Sequence, residues 1–216
     1  MLTIVIQAGG ESRRMGQDKA LLPFLSQTLI ERVVERVRPL ADELLVTNNQ
    51  PEAYGFLGLR LVPDLFPGRG ALGGVYTALK SAAHPLVAIV ACDMPFANPG
   101  LFAAERDLLL SSEADITIPF SGEGLEPFHA VYRRETCLPA SEAALKAGTW
   151  RVDSWFGKVK VRILQPDEIQ QYDPQFLCFR NVNTPEELTE AERIALEMDG
   201  SEGAHNTHSD RSSQAS

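Results

Sequence analysis

The sequence predicts an α/β fold, a three-layer sandwich of helices packed on a mostly parallel sheet. Three observations predict it. Strand-like and helix-like segments alternate along most of the chain. Residues 86–91, Leu-Val-Ala-Ile-Val-Ala, are wholly apolar, as a strand covered on both faces must be. The 216 residues are 44% hydrophobic and 23% charged, the balance of one soluble domain with a sizeable core.

The elements follow in order. The apolar run at 2–6 reads as a buried first strand. Thr28 and Glu31 frame a capping box, and Leu29, Ile30, Val33, Val34 and Val37 keep helical spacing until Pro39. Residues 44–47 and 59–62 read as short strands. A glycine-rich loop, Pro67-Gly68-Arg69-Gly70-Ala71-Leu72-Gly73-Gly74, leads into a helix through Lys80. Pro99 opens a helix that runs to Leu110. Residues 116–118 and 128–132 read as strands, 138–147 as a helix, and 159–164 and 176–182 as the strands that finish the sheet. Thr184, Pro185 and Glu187 supply a hydroxyl cap, a proline in the first turn and a glutamate three residues past the cap. No internal repeat is present. The pattern predicts one domain over 1–198. Residues 199–216 contain no Val, Ile, Leu, Phe, Trp or Tyr, which predicts a disordered tail. His205 and His208 read as tail residues rather than a metal pair.

The formal net charge is −9, of which three acids and one arginine in the tail supply −2. An acidic body argues against nucleic acid as a partner. No stretch approaches the ~18 apolar residues of a membrane span. The chain opens on a strand with no basic-then-apolar leader, so a cytoplasmic location is expected. Cys92, Cys137 and Cys178 form no CxxC pair, which points away from a zinc site or a disulfide framework.

The chemistry concentrates in Ile6-Gln7-Ala8-Gly9-Gly10-Glu11-Ser12-Arg13-Arg14-Met15-Gly16-Gln17-Asp18-Lys19. Glycines after a strand let backbone N–H groups approach an anion. Arg13, Arg14 and Lys19 add local positive charge to an acidic chain, a combination suited to a nucleoside triphosphate. It is not a P-loop, because no hydroxyl follows Lys19, and Gly9, Gly10 and Gly16 do not fit the dinucleotide fingerprint. The plainer alternative is a strand-to-helix turn with solvated arginines. Ligands of open α/β sheets bind beyond the carboxyl ends of the strands. Gln7, Asn48, Asn49, Asp64 and Asp93 all stand at such ends. A carboxylate beside a triphosphate is tolerable with a divalent cation between them, and Mg²⁺ takes one or two carboxylates plus phosphate oxygens. Asp93 is therefore the candidate metal ligand, with a turn or helix-cap acid as the alternative. Asn181 and Asn183 either form a turn or stand near the metal. Glu126 and His129 either face a second substrate or serve the structure.

Together these residues carry a resemblance. Gln7-Ala8-Gly9-Gly10-x-x-x-Arg14-Met15-Gly16-x-Asp18-Lys19 resembles the signature of the molybdenum cofactor guanylyltransferases. The likeness continues through Asn49, Asp64, Pro67-Gly68-x-Gly70-Ala71-Leu72-x-Gly74, Cys92-Asp93-Met94-Pro95, Glu126-Pro127 and Asn181-Val182-Asn183-Thr184-Pro185. It spans about residues 2–195. It implies a Rossmann-like sheet of the nucleotide-diphospho-sugar transferase type. It implies GTP held by Gln7, Ala8, Gly9, Lys19, Asn49, Asp64 and Asp93, with Mg²⁺ on Asp93, and Lys19 and Arg14 as catalytic cations. The implied reaction joins GMP from GTP to the terminal phosphate of molybdopterin and releases pyrophosphate. GTP, molybdopterin and cofactor-delivering or acceptor proteins are the implied partners. One departure is Gln7, where the family usually has Leu. Related cytidylyltransferases often have Ala-Gly in place of Gly9-Gly10, which favours guanine here. The alternatives are a molybdopterin cytidylyltransferase, a sugar-phosphate nucleotidyltransferase, and a nucleotide-sensing or carrier module. Retention of both Lys19 and Asp93 argues against the last.

Overall fold

A computed structural model describes residues 1–9 and 18–209, with 199–209 described by backbone alone. In chain order the elements are β1 (Leu2–Gln7), a hairpin of β2 (Pro23–Phe24) and β3 (Gln27–Thr28), α1 (Leu29–Val37), β4 (Glu43–Thr47), α2 (Pro51–Tyr54) and β5 (Arg60–Val62). Next come α3 (Gly70–Ser81), β6 (Leu86–Ala91), α4 (Pro99–Ser111), β7 (Ile116–Pro119) and β8 (His129–Arg133). The chain continues through α5 (Arg134–Lys146), β9 (Val161–Leu164), α6 (Pro166–Ile169) and α7 (Pro185–Ser209). Among the described residues, seven strands form one sheet in the order β5-β4-β1-β6-β8-β7-β9. β8 alone runs antiparallel to its neighbours, β6 and β7. The mostly parallel three-layer sandwich expected from the sequence is the observed fold.

Alternation along the central strands feeds two cores. Leu2, Ile4 and Ile6 of β1 and Leu86, Ala88 and Val90 of β6 face the layer of α1 and α4. Val5, Val87 and Ile89 face the layer of α3 and α5. Both faces are apolar, which is why residues 86–91 carry no polar interruption. The α1 capping box is formed: Glu31 N–H donates to Thr28 Oγ1 (3.4 Å), and Thr28 N–H donates to Glu31 Oε2 (2.7 Å). A smaller cluster of Phe24, Leu29, Phe96, Val182, Ala191 and Ala195 seats α7 against the β2–β3 hairpin. Among the described residues no helix is long and apolar enough to cross a membrane.

Two readings need correction. Residues 176–182 do not finish the sheet. Phe176 takes a left-handed conformation, and Leu177–Phe179 is a turn of 3₁₀ helix. Asp173 imposes it: its Oδ2 accepts from Cys178 N–H at 2.7 Å and its Oδ1 from Gln175 N–H at 3.3 Å. Short apolar runs do not distinguish a buried turn from a strand. Helix α5 begins at Arg134 rather than 138 and carries Pro139 inside it. The expected tail boundary at Asp199 falls within α7, whose backbone helix runs to Ser209, and 210–216 lie outside the described residues.

Two features of the interior bear on the site. Helix α3 meets the sheet through glycines. A Cβ on Gly73 would lie 2.9 Å from the Phe66 carbonyl oxygen and 3.0 Å from Arg69 Cβ, whereas one on Gly74 would meet the side-chain amide of Gln7, with Oε1 at 2.5 Å. Between α4 and β8, Glu105 and His129 are both fully buried. His129 Nε2 accepts from Asn98 N–H (3.2 Å), so its proton sits on Nδ1, 3.3 Å from Glu105 Oε1. Its ring stacks on Phe102 with centroids 3.8 Å apart. Burial pushes the Glu105 carboxyl well up and His129 down to about 3.

Gly73→Ala is expected to lose ~1–3 kcal/mol of stability through backbone overlap. Gly74→Ala should cost less than Gly73→Ala, since it displaces only the Gln7 amide and its bond to Gly74 O, and helix propensity improves. Urea unfolding of the two variants checks the contrast. The buried pair predicts opposed pH effects. A raised acid favours folding fully below its ordinary pKa of 4.5 and loses that contribution as pH rises. A lowered histidine loses stability as pH falls from 6.5 towards about 3. Glu105→Gln keeps the acceptor for His129 and removes the first effect. Its stability relative to wild type should grow as pH rises from 4.5 to neutrality, read by urea unfolding across that range.

Candidate functional site

The parallel strands β4, β1 and β6 deliver their carboxyl ends to one edge, and a cavity of about 270 Å³ opens there. Gln7, Ala8 and Gly9 line it from the end of β1, and Ala91, Cys92 and Asp93 from the end of β6. Asp18 and Lys19 stand on one side; Gly70, Ala71 and Gly74 of α3 stand on another. Phe128 reaches it because β8 runs backwards, so that His129 pairs with Val90 at the carboxyl end of β6.

Two walls are formed by the chain leaving β1 and by the start of α3. Ala8 N–H donates to Thr47 O (3.0 Å), and Asn48 Nδ2 donates to Ala8 O (2.8 Å), so Asn48 fixes the chain where it leaves β1. Helix α3 has no side-chain cap at its N-cap residue Arg69, and Gly70 and Ala71 of its first turn line the cavity. Gln7 Nε2 donates to Gly74 O at 2.7 Å, which ties β1 to α3 and leaves Oε1 as an acceptor on the wall.

The charged groups are arranged with equal care for partners. Asp93 is partly buried. Burial raises its carboxyl above the ordinary range, Lys19 opposes that rise, and Glu187 adds to it. Lys19 Nζ donates to Asn183 Oδ1 at 2.7 Å. Asn183 is set by the α7 capping box, where Glu187 Oε2 accepts from Asn183 N–H (2.6 Å) and Thr184 N–H (3.1 Å). Val182 N–H donates to the Asp93 carbonyl (2.9 Å), so the chain before α7 is fastened to the same corner. Burial, with Asp93 and Asp18 adding to it, pushes the Cys92 thiol well up, which leaves it an uncharged wall residue.

The structure thus brings Gln7, Ala8, Gly9, Lys19 and Asp93 to one cavity. Arg14, together with Gly10, Arg13 and Gly16, lies outside the described residues. Asn49 and Asp64 do not line the cavity. Asn49 Oδ1 accepts from Asp64 N–H (2.8 Å), and Asp64 Oδ1 accepts from Thr77 Oγ1 (2.8 Å) and Phe66 N–H (3.0 Å). They brace the loop leading to α3. His129 faces the core, not a second substrate; its structural reading is the one observed. Asp18 was not singled out from the sequence. Its Oδ1 accepts from Ala20 N–H (3.2 Å) and its Oδ2 from the buried Tyr54 hydroxyl (2.6 Å), which anchors the residue before Lys19. Its place in the motif was a signal; nothing marked Tyr54. Among the described residues, no three His, Cys, Asp or Glu side chains converge as a protein-only metal cage.

Residues 4–159 match the family model of the MobA-like NTP transferase domain. The chain is 38% identical over 194 residues to a probable molybdenum cofactor guanylyltransferase of Pelotomaculum thermopropionicum, covering 89% of this chain and 93% of that relative. It is 35% identical to the molybdenum cofactor guanylyltransferase of Desulfosudis oleivorans, covering 88% and 94%. Among solved structures, molybdopterin-guanine dinucleotide biosynthesis protein A from Archaeoglobus fulgidus superposes with a TM-score of 0.77 at 24% identity, covering 90% of this chain and 99% of that one. The 4-diphosphocytidyl-2C-methyl-D-erythritol synthase of Anaerococcus prevotii has a TM-score of 0.67 at 13% identity over 90% and 98%, a likeness of fold alone. With its sequence relatives matched over nearly their full length, the chain belongs to the molybdenum cofactor guanylyltransferases, a family of nucleotidyltransferases.

Proposed function

We propose that this nucleotidyltransferase transfers GMP from GTP to the terminal phosphate of molybdopterin in the cytoplasm, forming the guanine dinucleotide cofactor and pyrophosphate. The observation that carries the reading is the meeting of Lys19 and Asp93 with bare backbone from Gly9 and the first turn of α3 in one cavity. Amides and a lysine suit the triphosphate. Asp93 is the residue that would hold Mg²⁺: one carboxylate completed by phosphate oxygens is the donor set this ion takes. The ion would supply charge neutralisation on the triphosphate. Lys19, with Arg14, stabilises charge on the α-phosphate and on the departing pyrophosphate. An oxygen of the pterin phosphate forms the new bond to the α-phosphorus as the bond to pyrophosphate breaks. That oxygen is anionic at neutral pH, so alignment rather than a strong general base drives the step. Gln7, Ala8, Gly9, Asn49 and Asp64 complete the GTP contacts in this reading, Asn49 and Asp64 from a loop that their mutual hydrogen bond holds. Cofactor-delivering or acceptor proteins would meet the product.

The second reading is a molybdopterin cytidylyltransferase. Gln7 stands where the family usually has Leu, and its amide acceptor matches the N4–H₂ donor of cytosine as well as the N1–H and N2–H₂ donors of guanine. A panel of nucleoside triphosphates with Mg²⁺ and molybdopterin, read by pyrophosphate release, decides between them. GTP-dependent release is expected; a CTP preference moves the chain to the cytidylyl branch, and no release with any nucleotide rejects the reaction.

Asp93→Asn is expected to lower turnover at least ~10²-fold without unfolding the protein. Lys19→Ala is expected to cost ~10²–10³-fold. The pH profile gives a finer test. Metal binding needs the ionised carboxylate, burial raises Asp93, and Lys19 holds that rise in check. The acid limb of kcat/KM should therefore move to higher pH in Lys19→Ala, measured as residual activity across the acidic range. An unmoved limb would show that Asp93 does not set it.

A further inference from the structure

The segment Pro67-Gly68-Arg69-Gly70 leads into the amides of α3 yet has little to hold it. Gly68 (φ +77°) and Gly70 (φ +57°) are both left-handed, and a Cβ on either would meet nothing within 4 Å. The backbone bonds of Arg69 are long: its N–H donates to Phe66 O at 3.2 Å, and its carbonyl accepts from Gly73 at 3.4 Å. Arg69 is the one side chain between the two glycines. Its guanidinium lies over the Trp150 ring, 4.8 Å from the centroid. Trp150 is 60% exposed, in the loop that follows α5, and the core does not require it there. The neighbours of this pair face cavities: Gly70 lines the one described above, while Arg151 lines a second, bounded also by Leu125, Pro127 and Phe156. The Arg69–Trp150 contact therefore links the entry of α3, one residue before Gly70 of the cavity wall, to a separate part of the chain.

We propose that Trp150 is a positioning residue: by stacking on Arg69 it holds the 67–70 loop in the conformation that aims the first amides of α3 into the cavity. The inference rests on the reading of that cavity as a nucleotide site. A glycine-flanked segment samples many conformations when free, and a ligand that needs one of them binds more weakly by the fraction of time it is absent. An exposed cation–π contact shifts such a population by about two- to fivefold. The contact is not part of the chemistry, so its loss should act on binding and leave the chemical step intact.

The test measures GTP with Mg²⁺ by calorimetry against wild type, Trp150→Ala, Trp150→Phe, Arg69→Ala and the Trp150→Ala/Arg69→Ala double variant. The expected result is about a two- to fivefold weaker Kd in Trp150→Ala. KM for GTP should rise by the same factor, with kcat and Tm unchanged. Trp150→Phe, which keeps an aromatic face, should recover most of the affinity. The double variant should bind as Arg69→Ala does, because one contact is removed in both. Wild-type affinity in Trp150→Ala, equal loss in Trp150→Phe, or additive losses in the double variant would overturn the inference alone. Absence of GTP binding by wild type would overturn the nucleotide reading and this inference with it.

Discussion

The site depends on holding a carboxylate, Asp93, in a place that disfavours its charge. Strand β6 is packed on both faces, so the first acid beyond it emerges half desolvated, and burial raises its pKa. Among the described residues, Lys19 opposes that rise, together with hydrogen bonding to the backbone of Asp93 itself. Lys19 is in turn steadied by Asn183, 164 residues further along the chain. The beginning, middle and end of the sequence therefore meet in one electrostatic arrangement. The α7 capping box has a second consequence here: Glu187 holds Asn183 for Lys19 while its own charge pushes Asp93 up. Burial and Glu187 raise Asp93 while Lys19 lowers it, and an added cation would act in the same direction as Lys19.

Topology decides which backbone joins those charges. Parallel strands β4, β1 and β6 must place their carboxyl ends together. The reversal of β8 brings the opposite end of a strand to that edge, which is how Phe128 becomes a wall. Helix α3 closes the space because its glycines allow Gln7 to lie flat against it. Asn48, Asn49 and Asp64 also stand at strand ends, where their side chains are engaged with backbone or with Thr77. They supply rigidity to the loops that carry the donors.

Much of this was legible in the sequence. The α1 capping box and the unbroken apolar β6 fixed their elements because each signal is local and redundant. The glycine and lysine of the first loop, and Asp93 after β6, marked the cavity because strand ends in a parallel sheet converge by geometry. What was not legible depended on partners distant in sequence. The run at 176–179 reads as a strand until Asp173 is seen to accept from Cys178 and turn it. The hydrogen bonds that join Asn49, Asp64 and Thr77 were not legible, because the fold alone brings α3 beside the ends of β4 and β5. Tyr54 carried no signal, since only the fold sets its hydroxyl on Asp18. Arg14 lies outside the described residues, so its role rests on the motif alone.

Two carboxylates separate structural burial from useful burial. Glu105 is fully enclosed with no cation beside it, its Oε2 has no partner, and it sits against a histidine held neutral by the same enclosure. Neither group can exchange protons with a ligand it never meets. Asp93 experiences the same desolvation in part, but it opens on a cavity and has a lysine acting on it. A perturbed pKa thus marks both residues, and only access and an opposing charge distinguish the one that can do chemistry. The same criterion explains why His129, the one histidine on a strand of the sheet, contributes packing while Asp93 beyond β6 and Lys19 of the first loop line the cavity.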